Sequence, residues 1–239
     1  MRVVFLGVGE AFDKREASTS ILVESDFKIL LDCGYSTPQS LWNYKEDPDF
    51  IDAIYISHFH ADHWFGIPPL LVRMWEDGRR RKLRIIGQRN IEEKVRSLME
   101  MGYGNIGINY ELEFIEVDEG VELDGISIRA ARTEHSLYNL AVRIDFDGKS
   151  VCYSGDGKLT DDVKKLFKRS NLAICECYSI KPFVRTHSCF DDIMSLADEE
   201  DGPELIALVH INRRERDMLK KIAEEKGFIV PKQFDAIDL

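Results

Sequence analysis

Several large protein classes are excluded by what this chain lacks. No apolar run approaches the roughly 18 residues of a membrane-spanning helix. The opening Met1-Arg2-Val3-Val4-Phe5-Leu6-Gly7 is a short strand-like run without the longer apolar stretch and small-residue cleavage site of a secretory leader, so a cytoplasmic protein is expected. Cysteine is scarce and odd in number: Cys33, Cys152, Cys175, Cys177 and Cys189, with no Cys-x-x-Cys pair. That argues against a disulfide framework and against a cysteine zinc site. Cys175 and Cys177 share one face of an expected strand and read as packed, reduced thiols. No repeat, low-complexity tract or Pro/Ser-rich linker divides the chain, so residues 1–239 are expected to form one domain. Positive charge is in deficit, 32 basic against 43 acidic residues for a net charge of −11, and such a surface as a whole repels polyanions. A nucleic acid would need a local basic patch. The best candidate, Arg79-Arg80-Arg81-Lys82 with Arg84, also reads as a solvated loop before a strand. What remains, with 44% hydrophobic and 10% aromatic residues, is an ordinary globular composition.

The pattern along the chain alternates. Arg2–Val8, Ser20–Glu24 and Phe27–Leu31 are rich in β-formers, and Ala53–Ser57 is a short apolar run. Ile67–Glu76 reads as a helix that tolerates Pro68 in its first turn. Asn90-Ile91-Glu92-Glu93 resembles a capping box before Ile91, Val95 and Leu98 at helical spacing. Strands return at Glu111–Val117, Ile126–Ala130, Leu140–Phe146 and Ser150–Ser154, with Asp147-Gly148 as a hairpin signal. Thr160 caps a helix carrying Val163, Leu166 and Phe167. A strand follows at Asn171–Glu176, a helix at Asp191–Asp198, and a doubly buried strand at Leu205–His210. A last helix starts at Asn212 and Glu215 and ends near Gly227. Two mixed sheets with helices outside is the simplest arrangement, an α/β fold.

Histidine is also scarce, six in the whole chain, yet three of the six fall in Ile56-Ser57-His58-Phe59-His60-Ala61-Asp62-His63-Trp64-Phe65-Gly66. Residues two apart in an extended segment project to the same side, so His58 and His60 can converge on one ion. Asp62 and His63 lie past the turn and can address a second. Imidazole and carboxylate suit zinc and similar divalent metals. A cluster this dense, with ligands still to come from elsewhere, points to two ions.

His58-x-His60-x-Asp62-His63 resembles the signature of the metallo-β-lactamase superfamily, and later motifs follow in its order over nearly the whole chain. The resemblance implies a four-layer αββα sandwich with a dinuclear metal site at one edge. His135 in Thr133-Glu134-His135-Ser136 stands where the third histidine is expected, Asp156 in Tyr153-Ser154-Gly155-Asp156 matches the bridging aspartate, and His210 matches the last histidine. On that basis His58, His60 and His135 would hold one metal, Asp62, His63 and His210 the other, and Asp156 both. Zinc is the default; manganese or iron accept the same ligands. Phe5-Leu6-Gly7-Val8-Gly9, Leu31-Asp32-Cys33-Gly34 and Gly66-Ile67-Pro68 are similar to segments of the RNase Z branch, whose members trim tRNA 3′ ends. Glu176, with His187 in Thr186-His187-Ser188, resembles that branch's proton-donating pair. The chain departs from the branch in three places. Val8 replaces a threonine, Gly157 replaces another, and Asp156 follows His135 by only 21 positions, too few for the arm that grips tRNA.

The resemblance therefore implies a dinuclear metal-dependent hydrolase, a phosphodiesterase acting on a small or cyclic phosphodiester through a metal-bound hydroxide. Asp62 or Asp156 would orient the hydroxide, and His187, positioned by Glu176, would protonate the departing oxygen or steady the equatorial oxygens. Three other readings stay open: a tRNA 3′-processing endonuclease, a lactone, thioester or ester hydrolase of the same fold, and a non-enzymatic metal-binding scaffold. No membrane partner is implied. The apolar helix Ile67–Trp75 offers a surface for a homodimer.

Overall fold

The computed structural model describes residues 1–239. Its first strands, β1 (Arg2–Gly7), β2 (Ser20–Glu24) and β3 (Ile29–Leu31), pair antiparallel. Helix α1 (Thr37–Tyr44) leads to β4 (Ala53–Ile56), the short α2 (Ala61–Trp64), α3 (Ile67–Glu76), β5 (Leu83–Gly87), α4 (Ile91–Tyr103) and β6 (Leu112–Glu116). The second half carries β7 (Gly120–Leu123), β8 (Ile126–Arg132), β9 (Leu140–Phe146) and β10 (Lys149–Tyr153). After these come α5 (Asp161–Phe167), β11 (Leu172–Glu176), α6 (Phe190–Ala197), β12 (Leu205–Val209), α7 (Arg216–Glu225) and β13 (Ala236–Asp238). Two sheets result, β13-β1-β2-β3-β4-β5-β6 and β12-β11-β10-β9-β8-β7.

Side-chain alternation builds the four layers. Along β1, Val3 and Phe5 enter the core between the sheets, while Val4 and Leu6 face the outer core under α1, α3 and α4. Along β11, Leu172 and Ile174 face inward, while Ala173 and Cys175 join the opposite outer core with α5, α6 and α7. Both faces of these strands are buried, which is why they read as unbroken apolar runs. Cys175 and Cys177 are buried in that outer core, as packed thiols.

Strand direction then places the loops. The pairs β3·β4, β4·β5, β10·β11 and β11·β12 are parallel, and β8 runs with β10 because each is antiparallel to β9. The carboxyl ends of β3, β4, β8, β10, β11 and β12 therefore share one edge, where the crevice of an α/β sheet collects ligand groups. The loops there are packed to contact. A Cβ on Gly34 would lie 1.8 Å from the Asp62 carbonyl oxygen, so only glycine lets the segment after β3 rest against the histidine loop.

Two local expectations are corrected, and the basic run proves mixed. Asn90 adopts a left-handed conformation (φ 65°) and makes no side-chain cap; its N–H instead donates to Glu116 Oε1 at 2.7 Å. The apolar face of α3 is core, with Ile67, Pro68, Leu70, Leu71, Val72 and Met74 all buried, so it does not supply an exposed dimer surface. The basic run is in part a solvated loop, with Arg80 and Arg81 exposed, and in part drawn into internal contacts. Arg79, 2% exposed, donates to the carbonyls of Pro48, Ile51, Arg81 and Lys82. Arg81 pairs with Asp52 at 2.6 Å, Lys82 with Glu113 at 2.7 Å, and Arg84 with Asp124 at 2.9 Å. No helix is long and apolar enough to cross a membrane.

Candidate metal centre and cleft

Every histidine of the chain reaches the shared edge. His58 extends β4 and His60 precedes α2. His63 lies within α2, His135 follows β8, His187 sits before α6, and His210 follows β12. Three ring nitrogens meet first: His60 Nδ1 lies 3.0 Å from His58 Nε2 and 3.1 Å from His135 Nε2. The tautomers of the outer two follow from their other nitrogens. His135 Nδ1 donates to the Thr186 carbonyl at 2.8 Å. Ser57 Oγ donates to Asp32 Oδ2, so it accepts from His58 Nδ1 at 3.0 Å. Both Nε2 atoms are therefore lone pairs aimed at His60, which has at most one Nδ1 proton to offer them.

A second set adjoins the first. His63 Nε2 and His210 Nε2 each lie 3.3 Å from Asp62 Oδ2. Asp156 reaches both sets: its Oδ1 is 3.3 Å from His63 Nε2, and its Oδ2 is 3.5 Å from His210 Nε2 and 3.8 Å from His58 Nε2. Yet His63 Nε2 and Asp156 Oδ1 are buried without a hydrogen-bond partner, while His210 Nδ1, also unpartnered, faces away toward Glu176 Oε1 at 3.6 Å. Donor atoms that converge on common points, unpaired and buried, fit divalent cations and are costly otherwise. The donor set is imidazole and carboxylate throughout, which suits zinc.

The fields inside the site are strong. Burial would lower His63, but the carboxylates of Asp156 and Asp32 outweigh it and hold its pKa well above the ordinary value. Burial likewise opposes His210, whose pKa Asp156 and Asp62 push up to about 10. His58 falls well below the usual range, first through burial and then through His63. Burial would raise Asp62 and Asp156, but their histidine neighbours hold both carboxyls below the carboxylate range. Burial again opposes His187, which its bond to Glu176 raises overall.

Glu176 and His187 meet at this centre: His187 Nδ1 donates to Glu176 Oε1, and Glu176 Oε2 accepts the Gly157 N–H. Gly157 stands at φ 104° with Thr133 Oγ1 2.6 Å from where a Cβ would be, which accounts for glycine at a position where the similar branch has threonine.

Beyond the set expected from motifs, the structure brings in Asp32. This carboxylate, 0% exposed, accepts from Ser57 N (2.7 Å), Ser57 Oγ (2.7 Å), His63 Nδ1 (2.7 Å) and Tyr153 OH (2.8 Å). It thereby orients His63 and, through Ser57, His58. Its place at the end of β3, matching the Asp-Cys-Gly segment, was the available signal; its partners are up to 121 positions away. The centre opens into a cleft of about 360 Å³ lined by Phe12, Tyr35, Tyr178, Asp62, His187 and His210. Phe12 is held at the mouth by an ionic brace: its N–H donates to Glu10 Oε2, whose other oxygen accepts Arg213 Nη1 at 2.5 Å, and the Arg213 guanidinium lies 5.7 Å from the Phe12 ring centroid.

Comparison with known proteins agrees with the geometry. The chain is 35% identical to a ribonuclease Z of Methanosarcina acetivorans over 144 residues, covering 59% of this chain and 47% of that protein. It thus spans about half the length of the curated relatives it matches. Among solved structures, the metallo-β-lactamase fold protein YhfI of Bacillus subtilis superposes with a TM-score of 0.82 at 23% identity, over 99% of this chain and 98% of that one. The short form of human tRNase Z superposes with a TM-score of 0.81 at 19% identity, over 100% and 99%. These structural likenesses show the metallo-β-lactamase fold. The family model for the anti-Pycsar protein Apyc1 matches residues 1–234.

Proposed function

The chain belongs to the Apyc1 family of anti-Pycsar proteins, and from that premise we propose that it is a dinuclear metal-dependent phosphodiesterase acting on a small or cyclic phosphodiester. The observation that carries this reading is the pair of donor sets sharing Asp156, with the His187–Glu176 dyad directly beside them. His58, His60 and His135 would hold one ion and Asp62, His63 and His210 the other, with Asp156 common to both. When bound, such ions supply Lewis acidity toward a phosphoryl oxygen and a water acidified toward neutrality.

The chain's own residues do the rest. Asp62, held ionised by His210 and His63, is placed to accept a hydrogen bond from the attacking water and orient it toward phosphorus, the water's proton passing to solvent as its oxygen bonds to phosphorus. As the opposite P–O bond breaks, its electron pair takes the proton of His187 Nε2, giving an alcohol and a phosphomonoester. Glu176 holds the His187 Nδ1–H and so leaves Nε2 as the nitrogen free to donate. The raised pKa of His187 keeps that proton available near neutrality.

The size of the cleft supports a small substrate, since about 360 Å³ lies within the range of small-molecule sites. The similarity to ribonuclease Z supports a second reading, tRNA 3′ processing. Against it, the segment between His135 and Asp156 is the β9–β10 hairpin, and Arg81, Lys82 and Arg84 of the basic run are paired with carboxylates. Metal analysis followed by a panel of bis-p-nitrophenyl phosphate, small cyclic phosphates, precursor tRNA and a lactone separates the readings. Two metal equivalents with turnover of the small phosphodiesters is the expected result. Turnover of the lactone alone, or of none of the four, would overturn the proposal.

A further inference from the structure

His187 comes from an exposed loop. Lys181, Pro182, Phe183 and Arg185 before it are all exposed, and Phe183 is 72% so. Its one side-chain hydrogen bond is the one to Glu176. A single bond at Nδ1 fixes one atom of the ring and leaves the plane free to pivot about it. A proton donor must nevertheless point its other nitrogen at the leaving oxygen, because general acid catalysis depends on placement before pKa.

Of the three rings packed around His187, Tyr178 lies nearest. Its ring lies 4.8 Å from the His187 ring, tilted by 30°, at aromatic contact distance. Its backbone is pinned on both sides: its N–H donates to the Ser188 carbonyl at 2.9 Å, and its carbonyl accepts the Asn212 N–H at 2.9 Å. The ring is therefore anchored to the residue after His187 and to the segment just after His210. On other sides the His135 ring meets His187 edge-on, at 5.0 Å and 79°, and the His210 ring lies parallel to it at 6.0 Å and 9°. No protein hydrogen bond engages the Tyr178 hydroxyl, so the contact with His187 is made by the aromatic face.

We propose that Tyr178 is a positioning residue for the leaving-group acid, its ring holding the His187 imidazole in the orientation set by Glu176 so that Nε2 addresses the cleft. This rests on the phosphodiesterase reading. Protonation matters least when the leaving oxygen is already a weak base, so the loss in a loosened acid grows with leaving-group basicity.

The test uses the zinc-loaded full chain as wild type, Tyr178→Phe and Tyr178→Ala, with a series of diaryl phosphates from bis-p-nitrophenyl to diphenyl. Beyond any loss it shows on the nitrophenyl ester, Tyr178→Ala should fall about a further tenfold or more on the phenyl ester, part of the 10²–10⁴-fold that general acid catalysis supplies. Tyr178→Phe should keep the wild-type slope, and zinc content should be equal in all three. An equal loss across the series, or a phenylalanine variant as impaired as the alanine one, overturns the proposal. Failure of the wild type on every ester sinks the phosphodiesterase reading instead. The positioning role is then decided by proton NMR of the same proteins. The downfield imidazole proton that disappears in His187→Ala should persist in Tyr178→Phe and broaden away by exchange in Tyr178→Ala. Its persistence in Tyr178→Ala overturns the role.

Discussion

Replacing Asp32 by asparagine tests the hub beneath the centre. Asp32 sits at φ 61°, a left-handed conformation that asparagine adopts as readily as aspartate, so the substitution leaves the backbone unperturbed. The change falls on four buried hydrogen bonds: Oδ1 accepts one from Ser57 N, and Oδ2 accepts three, from Ser57 Oγ, His63 Nδ1 and Tyr153 OH. All four partners are donors. Whichever way the amide turns, its NH₂ faces at least one of them, leaving donors unpaired at about 1–3 kcal/mol. The surviving bonds lose charge assistance, which roughly halves each of them. Together these cost about 3–5 kcal/mol. For a chain of this length that corresponds to a fall in Tm of roughly 6–20 °C. Urea unfolding of the metal-free proteins measures the loss without a contribution from bound metal. Loosening of His63 should also weaken metal binding by about 10–100-fold, read by competition with a chromophoric chelator. A variant within about 0.5 kcal/mol of wild type and with unchanged metal affinity would refute the argument that Asp32 organises the centre.

Other outcomes follow from the same geometry. His187→Ala should lower kcat by about 10²–10⁴-fold with metal content unchanged; loss of metal in elemental analysis would make His187 a ligand instead. Asp156→Ala should reduce occupancy of both ions, and two full equivalents in that variant would remove its bridging role. In the metal-free protein His210 holds its proton up to about pH 10. The stability tied to it is therefore fully present below an unfolded pKa of about 6.5 and is lost as pH rises through about 10. Metal must expel that proton, so zinc affinity should rise with pH across the same window. Calorimetry at pH 7 in buffers of different ionisation enthalpy should report proton release, and buffer-independent heats would contradict it. Arg79→Lys, which cannot serve four carbonyls with one ammonium, should cost about 2–3 kcal/mol in denaturant titration.

What the sequence by itself determined is local. The His58–His63 spacing, the β-rich runs that alternate between two cores, the Ile67–Glu76 helix and the Thr160 cap all depend on neighbours a few residues apart, and the structure carries each of them. Elements without a clear apolar pattern left no such trace, such as α1, whose buried residues are Thr37, Pro38, Ser40 and Leu41, and the edge strands β7 and β13. Ordered motifs also indicated His135, Asp156, Glu176, His187 and His210 by resemblance, without saying how they meet. Tertiary structure alone decided the rest. It spent the charges of Arg79, Arg81, Lys82 and Arg84 on internal partners and turned the apolar face of α3 into core. It also brought Asp32 under His63 and laid Tyr178 against His187. The physical reason is that burial and orientation belong to pairs of groups brought together by sheet order, and residue type specifies what a group can bond but not which group will face it.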